Sequence, residues 1–341
     1  MVLKSLKPTA ITIALGLAGA GFFWLIGFPV PALTGPAAVV SLATIYGVRT
    51  EIPAPLRNAC FIILGMSIGS TVTPEVLATM RAWPLSLVIL AATLLGSLWA
   101  LRWILKNAFG FDHMTAVLAS APGHLSYVIG LSTELKANVP QVALVQSVRV
   151  LMLTLLVPII ITVSGAQGTG SFQTSGVIGP IAFAGVLFVS LGVSLLFAKL
   201  HVPAPFLIGA IVVSAFGHGS DLTPGTLPTP LLFGAFIVMG ALIGTRFNGI
   251  SRSEVVSGLG AGLAITLGAC LFAAVGAFAA SLVVNVPPAA LLLAFSPGGL
   301  ETMAAIAVET NLEPAFVAAH HVFRLAVLTV LFPLLVPRAS S

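Results

Sequence analysis

A chain of 341 residues with 58% hydrophobic and only 7% charged residues cannot clothe a water-facing surface, since soluble domains carry about 25% charged residues. With a mean hydropathy of +1.14, this composition excludes a soluble domain and predicts an integral membrane protein. The net charge of +5 is then read as basic cytoplasmic loops, with no direct nucleic-acid partner. Cys60 and Cys270 stand alone in separate apolar stretches, which suggests neither a disulfide framework nor a metal cluster.

The apolar runs last about twenty residues, the length of a spanning helix, where barrel strands would alternate over about ten. In chain order they fall at roughly 10–28, 31–47, 54–70, 84–106, 112–135 and 140–163. A second set falls at roughly 176–199, 203–219, 230–247, 256–284, 288–310 and 314–336. The first segment follows Lys4 and Lys7 as a secretory leader would, but segment 176–199 matches it in the second half, so it is expected to be retained. The organisation expected is a first membrane repeat at 1–165, a polar linker at 166–175 and a second membrane repeat at 176–341, together one folded unit.

The two sets are copies. A shift of 175 residues lays Pro122 on Pro297, Gly123 on Gly298, Leu125 on Leu300, Glu134 on Glu309, Arg149 on Arg324 and Pro158 on Pro333, with eleven ungapped identities. FPVPALTGP (28–36) answers VPAPFLIGA (202–210), and FIILGMSIGS (61–70) answers FIVMGALIGT (236–245). Matches in the same order along the chain are the signature of a tandem duplication. Gly65 and Gly69, with Gly240 and Gly244, form small-xxx-small faces suited to close helix approach. Pro29, Pro31, Pro203 and Pro205 mark tight turns between consecutive segments.

In each half one segment is broken by Pro-Gly, in APGHLSYVIG (121–130) and SPGGLETMAA (296–305). If both broken segments cross, seven basic loop residues lie inside and five outside; if both dip in and return, eleven lie inside and only Arg81 outside. The positive-inside rule favours the second arrangement. Arms of about ten residues reach about 15 Å, half of a roughly 30 Å hydrocarbon core. The expectation is therefore an all-α integral membrane protein of two inverted repeats. Each repeat has about five spanning helices and a re-entrant or broken helix at its Pro-Gly motif.

The chemistry gathers at these breaks. A helix starting after Pro-Gly turns unpaired N–H groups toward the midplane, where an anion can sit. Candidates for the solute site or pathway are Pro122, Gly123, His124, Ser126 and Arg149 in the first half, and Pro297, Gly298, Gly299, Thr302 and Arg324 in the second. Arg149 and Arg324 lie near mid-span, where a charge demands a cavity or a partner. They serve either a solute or an internal ion pair holding the hairpin. Glu301 alone among nine acidic residues maps to the membrane interior, as a first-turn helix residue or as a proton carrier. His320 and His321, one turn before Arg324, are either structural or members of a proton relay. No pair among the six histidines has ligand spacing of four, so neither a metal, a cofactor nor an enzymatic reaction is expected.

The paired patterns APGHLSYV…VALVQSVRVLMLTLLVP and SPGGLETM…FVAAHHVFRLAVLTVLFP resemble the AbrB-duplication family of integral membrane proteins across essentially the whole chain. His124 stands where the commoner first-copy motif has glycine. Labels in that family include regulation of gene expression, ammonia monooxygenase and uncharacterised transporter. The resemblance implies a multi-pass inner (plasma) membrane protein with both termini cytoplasmic. The solute reading and the inverted architecture together suggest a secondary transporter of a small anionic solute, proton-coupled through Glu301, His320 and His321. The alternative is a membrane-embedded sensor that affects gene expression indirectly. Homodimers are compatible with such a fold.

Overall fold

The computed structural model describes residues 2–73, 76, 78, 80–122, 125–165 and 176–335. Helices α1 (Val2–Leu25), α2 (Pro31–Ile45), α3 (Ala54–Gly69), α4 (Trp83–Phe109), α5 (His113–Ser120), α6 (Leu125–Glu134) and α7 (Val139–Val163) make the first half. Helices α8 (Pro180–Lys199), α9 (Pro205–Gly219), α10 (Thr229–Thr245), α11 (Arg252–Ser281), α12 (Pro288–Phe295), α13 (Leu300–Thr310) and α14 (Pro314–Leu335) make the second. Six of them (α1, α4, α7, α8, α11 and α14) are long and apolar enough to cross a membrane. Four others, α2, α3, α9 and α10, are apolar but shorter. Each half thus contributes three long helices, two short ones and one broken pair.

Local signals set the boundaries. Asp112 caps α5 by accepting from the Thr115 N–H at 3.0 Å, and Ser251 with Glu254 forms a capping box on α11, both satisfying donors that a helix start leaves open. The Pro-x-Pro turns are equivalent in conformation as well as in sequence. Val30 (φ 53°) and Ala204 (φ 46°) are both left-handed N-caps before Pro31 and Pro205, a strained choice that persists only where packing imposes it.

Helix contacts are exchanged between the halves. α2 packs on α10 as α9 packs on α3, α1 on α2 as α8 on α9, and α7 on α11 as α14 on α4. The reciprocity extends to single residues. A Cβ on Gly65 would lie 2.5 Å from the Leu207 carbonyl oxygen, and one on Gly240 would meet the carbonyl oxygen of Leu33, the repeat equivalent of Leu207. Ser214 donates across the same interface to Met66 O at 2.7 Å. Without hydrophobic drive in lipid, such small-residue contact is what holds helices together. Gly65→Val and Gly240→Val are therefore expected to abolish the folded monodisperse protein, seen as a lost peak in size-exclusion chromatography. Gly21→Val, at an open position, should leave that peak unchanged.

The broken segments fold back on themselves. The Asn138 N–H, beyond the end of α6, donates to Thr115 Oγ1 near the start of α5 at 2.8 Å. Gln146 and Arg149 further along α7 bond to carbonyls at Leu118 to Ala121, so α7 runs parallel to α5 and α6 must run antiparallel to it. In the second half His321 and Arg324 of α14 reach Leu293 and Ser296 of α12 in the same order, and a short turn joins α13 to α14. Both broken segments are hairpins, and the tips meet. Ser120 and Pro122 line one small void of about 20 Å³ with their repeat equivalents Phe295 and Pro297.

Further contacts assign the ends of the helices. The Glu51 N–H donates to Thr12 at 2.9 Å and Asn248 donates to Thr50 O at 2.7 Å, gathering one end. Val177 pairs with Thr226, and Ser86 meets His320, at the other. Followed helix by helix, Lys7, Arg49, Arg57, Arg102, Lys106, Lys136, Lys199, Arg246 and Arg252 fall toward the first end and Arg81 toward the second.

Candidate functional site

Each hairpin tip begins with a missing donor. Proline has no N–H, so Pro122 cannot serve the Leu118 carbonyl four residues back, nor Pro297 that of Leu293. A buried unpaired carbonyl costs several kcal/mol in a membrane. In the first half Gln146 Nε2 supplies the bond to Leu118 O at 3.0 Å and also reaches Ala121 O at 2.8 Å. In the second half Leu293 O accepts from the Ser296 N–H at 3.3 Å and Ser296 Oγ at 2.8 Å, and His321, the repeat equivalent of Gln146, adds a bond through Nε2 at 3.0 Å. A carbonyl only accepts, so that ring nitrogen carries the hydrogen, and His321 Nδ1 is left buried without a partner among the described residues.

The two arginines complete the same task. Arg149 donates to Ser120 O at 3.4 Å, Ala121 O at 3.1 Å and Gln146 Oε1 at 2.5 Å. Arg324 donates to Ser296 O at 2.5 Å and to Gly298 O. Both are almost wholly buried, 2% and 3% exposed, about 15 Å along their helices, near mid-membrane depth. Their terminal nitrogens neutralise the carbonyl-rich C-terminal ends of α5 and α12, where a cation is favoured. On each arginine Nε remains without a hydrogen-bond partner among the described residues.

Both arginines also line one cavity of about 690 Å³. The start of α13 (Gly298, Gly299, Leu300 and Glu301) forms part of its wall, together with Gln146 and the Pro203–Ala204–Pro205 turn. Arg57, at the start of α3, and Arg246, which caps the end of α10, line it toward the basic end. Glu301 interacts electrostatically with both Arg246 and Arg324. Among the described residues lining the cavity, four arginines face one carboxylate, Glu301, beside the start of α13.

The structure brings Arg149, Arg324, Gly298, Gly299 and Glu301 to the wall of one cavity, together with Arg57 and Arg246. Sequence position alone reads those two as loop and end charges; only their convergence with residues some hundred positions away shows their place. Pro122 and Pro297 lie at the hairpin tips but line the small void. Thr302 is buried in the first turn of α13. Gly123 and His124 lie outside the described residues, as does the Ser126 side chain. Of the two roles expected for the arginines, a solute or an internal pair holding the hairpin, the structure adds a third partner, the backbone carbonyls that the Pro-Gly breaks free.

The histidine pair separates. Neither ring is among the groups lining the cavity. His320 lies against Phe316 with ring centroids 3.9 Å apart and near Trp83 and Phe295. Its Nδ1 donates to Phe316 O at 2.9 Å, and its Nε2 lies 2.8 Å from Ser86 Oγ, itself 2.8 Å from Trp83 O. A hydroxyl has one hydrogen to give. With a neutral ring Ser86 donates to Nε2; with a charged ring Nε2 donates to Ser86, which turns to Trp83 O. Either arrangement leaves the Ser86 hydroxyl hydrogen-bonded.

The halves differ at their hairpins. α13 packs against α3, α7 and α10 as well as α14, and is buried from Leu300 through Val308. α6 packs chiefly against α5 and α7 and leaves Gly130, Thr133 and Glu134 exposed. The start of α13 lines the cavity, and no described residue of α6 does.

Long apolar helices, two hairpins and an arginine-lined cavity between them define a multi-pass helical membrane protein. Residues 32–339 match the family described as "Transition state regulatory protein AbrB", and the chain belongs to that family. It is 27% identical over 296 residues to "Uncharacterized protein YhjN" of Bacillus subtilis (strain 168), covering 80% of this chain and 75% of that protein. It is 25% identical over 309 residues to "Putative regulator AbrB" of Escherichia coli (strain K12), covering 89% and 88%.

Proposed function

We propose that the protein is a secondary transporter of a small anionic solute in the cell membrane, working by alternating access between inverted repeats. The observation that carries this is the convergence of Arg149 and Arg324, equivalent residues of the two halves, on one cavity beside the α13 N-terminus. The reciprocal packing of the halves supports a two-fold relation, and the unequal burial of α6 and α13 supports one of two exchanging states. Basic residues favour the cytoplasm, so the basic end is assigned there and the cavity opens inward. Glu301, inside the cavity, and His320, with its reorientable Ser86 partner, are the proton-coupling groups. Membership of the AbrB family also supports a second reading, a sensor that binds the same solute without moving it, since one relative carries the name of a regulator.

The test is cysteine accessibility combined with flux. Gly299 is half-buried and a Cβ there meets only the Glu301 and Thr302 side chains, at 3.2 and 3.7 Å. Gly299→Cys, with Cys60 and Cys270 replaced by serine, is expected to react with an impermeant thiol reagent from the cytoplasmic side. A bound anion should slow that reaction. In proteoliposomes the wild type should take up anion with proton-gradient dependence, and Glu301→Gln should lose that dependence. No labelling from either side removes the pathway; ligand protection without any flux establishes the sensor.

A further inference from the structure

Resting on the anion-site reading above, we infer that the solute is an organic anion carrying at least two acidic groups on an apolar carbon body. Three features lead there. First, size: a cavity of about 690 Å³ equals the liquid volume of some twenty waters at about 30 Å³ each, far more than a bare inorganic oxyanion fills. Volumes of this order suit ligands with a substantial carbon skeleton.

Second, charge: among the described residues lining it, Arg57, Arg149, Arg246 and Arg324 face a single carboxylate, Glu301. One negative charge leaves this excess largely uncompensated in a low-dielectric wall, where unpaired charge is costly. The cations also fall at two depths. Arg149 and Arg324 lie about 15 Å along their helices, whereas Arg57 lies only about 5 Å into α3 and Arg246 ends α10. The deep pair has its terminal nitrogens on backbone carbonyls but keeps a buried, unpartnered Nε on each residue. That donor pair, with the N–H groups opening α13, suits one acidic group. The pair nearer the mouth, half-buried and without a carbonyl clamp of that kind, suits a second one.

Third, Phe61, Val150, Phe206, Leu242, Leu325 and Leu328 give the same cavity a substantial apolar surface, beside the polar Asn58, Gln146, Thr245 and Thr329. A hydrocarbon or aromatic spacer joining two acidic ends matches the wall.

The experiment measures binding of matched acids to the full-length protein in lipid nanodiscs by thermal shift and titration calorimetry. The probes are aliphatic and aromatic dicarboxylates of about four to ten carbons, their monoesters, and inorganic phosphate and sulfate, a range set by ordinary pocket dimensions. At least one dicarboxylate is expected to bind ten-fold or more tighter than its monoester and than either inorganic ion. In folded Arg57→Gln and Arg246→Gln proteins that ratio should fall to about two-fold, the loss of one charge-assisted contact. Equal binding of diacid and monoester, or tightest binding of an inorganic ion, overturns the two-acid inference while the anion site stands. No binding of any anion to the folded protein overturns both.

Discussion

Arg324→Leu is expected to destabilise the fold strongly, and Arg149→Leu to destabilise it less. In the second half Arg324 is the sole side chain seen bonding Ser296 O and Gly298 O; His321 reaches only Leu293 O. Removing the guanidinium leaves two buried carbonyls unpaired, at about 1–3 kcal/mol each, so a loss of about 2–6 kcal/mol follows. In the first half Ala121 O also accepts from Gln146 at 2.8 Å, and the Ser120 contact is long at 3.4 Å. The first hairpin thus keeps half of its support without Arg149. Thermal unfolding followed by fluorescence-detected size exclusion should place Arg324→Leu well below Arg149→Leu, with Arg324→Lys between, since an ammonium lacks the planar fork. Equal midpoints for the two leucine variants would show that the clamps are not what holds the tips.

His321→Gln should fold and transport like the wild type, while His321→Leu should cost only about 0.5–1.5 kcal/mol, one net hydrogen bond, because Leu293 O still accepts from the Ser296 N–H at 3.3 Å and Ser296 Oγ at 2.8 Å. The first outcome rests on a substitution the protein has already made in its other half, where Gln146 stands at the equivalent position and its amide nitrogen supplies the bond that Pro122 cannot. Glutamine donates equally well to Leu293 O but cannot exchange a proton. The pair of variants therefore separates a backbone donor from a proton relay. Loss of proton-driven flux in a folded His321→Gln protein would return His321 to the coupling route. The corresponding change at His320, whose two arrangements with Ser86 need a titratable ring, should instead abolish the pH dependence of uptake.

Much of this architecture is legible in the residues themselves. Apolar run length, the 175-residue repeat and the asymmetry of Lys and Arg all report physical constraints that act on the chain locally or by bulk partition into lipid. They are sufficient for the helices, for the duplication and for folding-back segments at Pro122 and Pro297. The importance of Arg149 and Arg324 is legible for the same reason, because an ionised group at mid-span is too costly to be idle.

What the residues leave open is which group meets which. Glu301 is a natural partner for an arginine, and the sequence does not show that Arg324 also serves the carbonyls a Pro-Gly break frees nearby. His320 and His321 are neighbours in sequence, but a step of about 100° around a helix sends one toward Ser86 and the other toward Leu293. Arg57 and Arg246 read as ordinary end charges until α3 and α10 bring them to the same wall. The sequence by itself determined a duplicated, helical membrane protein with two interrupted segments, since those follow from hydropathy, period and proline chemistry. Only the tertiary structure decided that four arginines share one cavity, because that depends on helices packed across the two halves at separations no local pattern encodes.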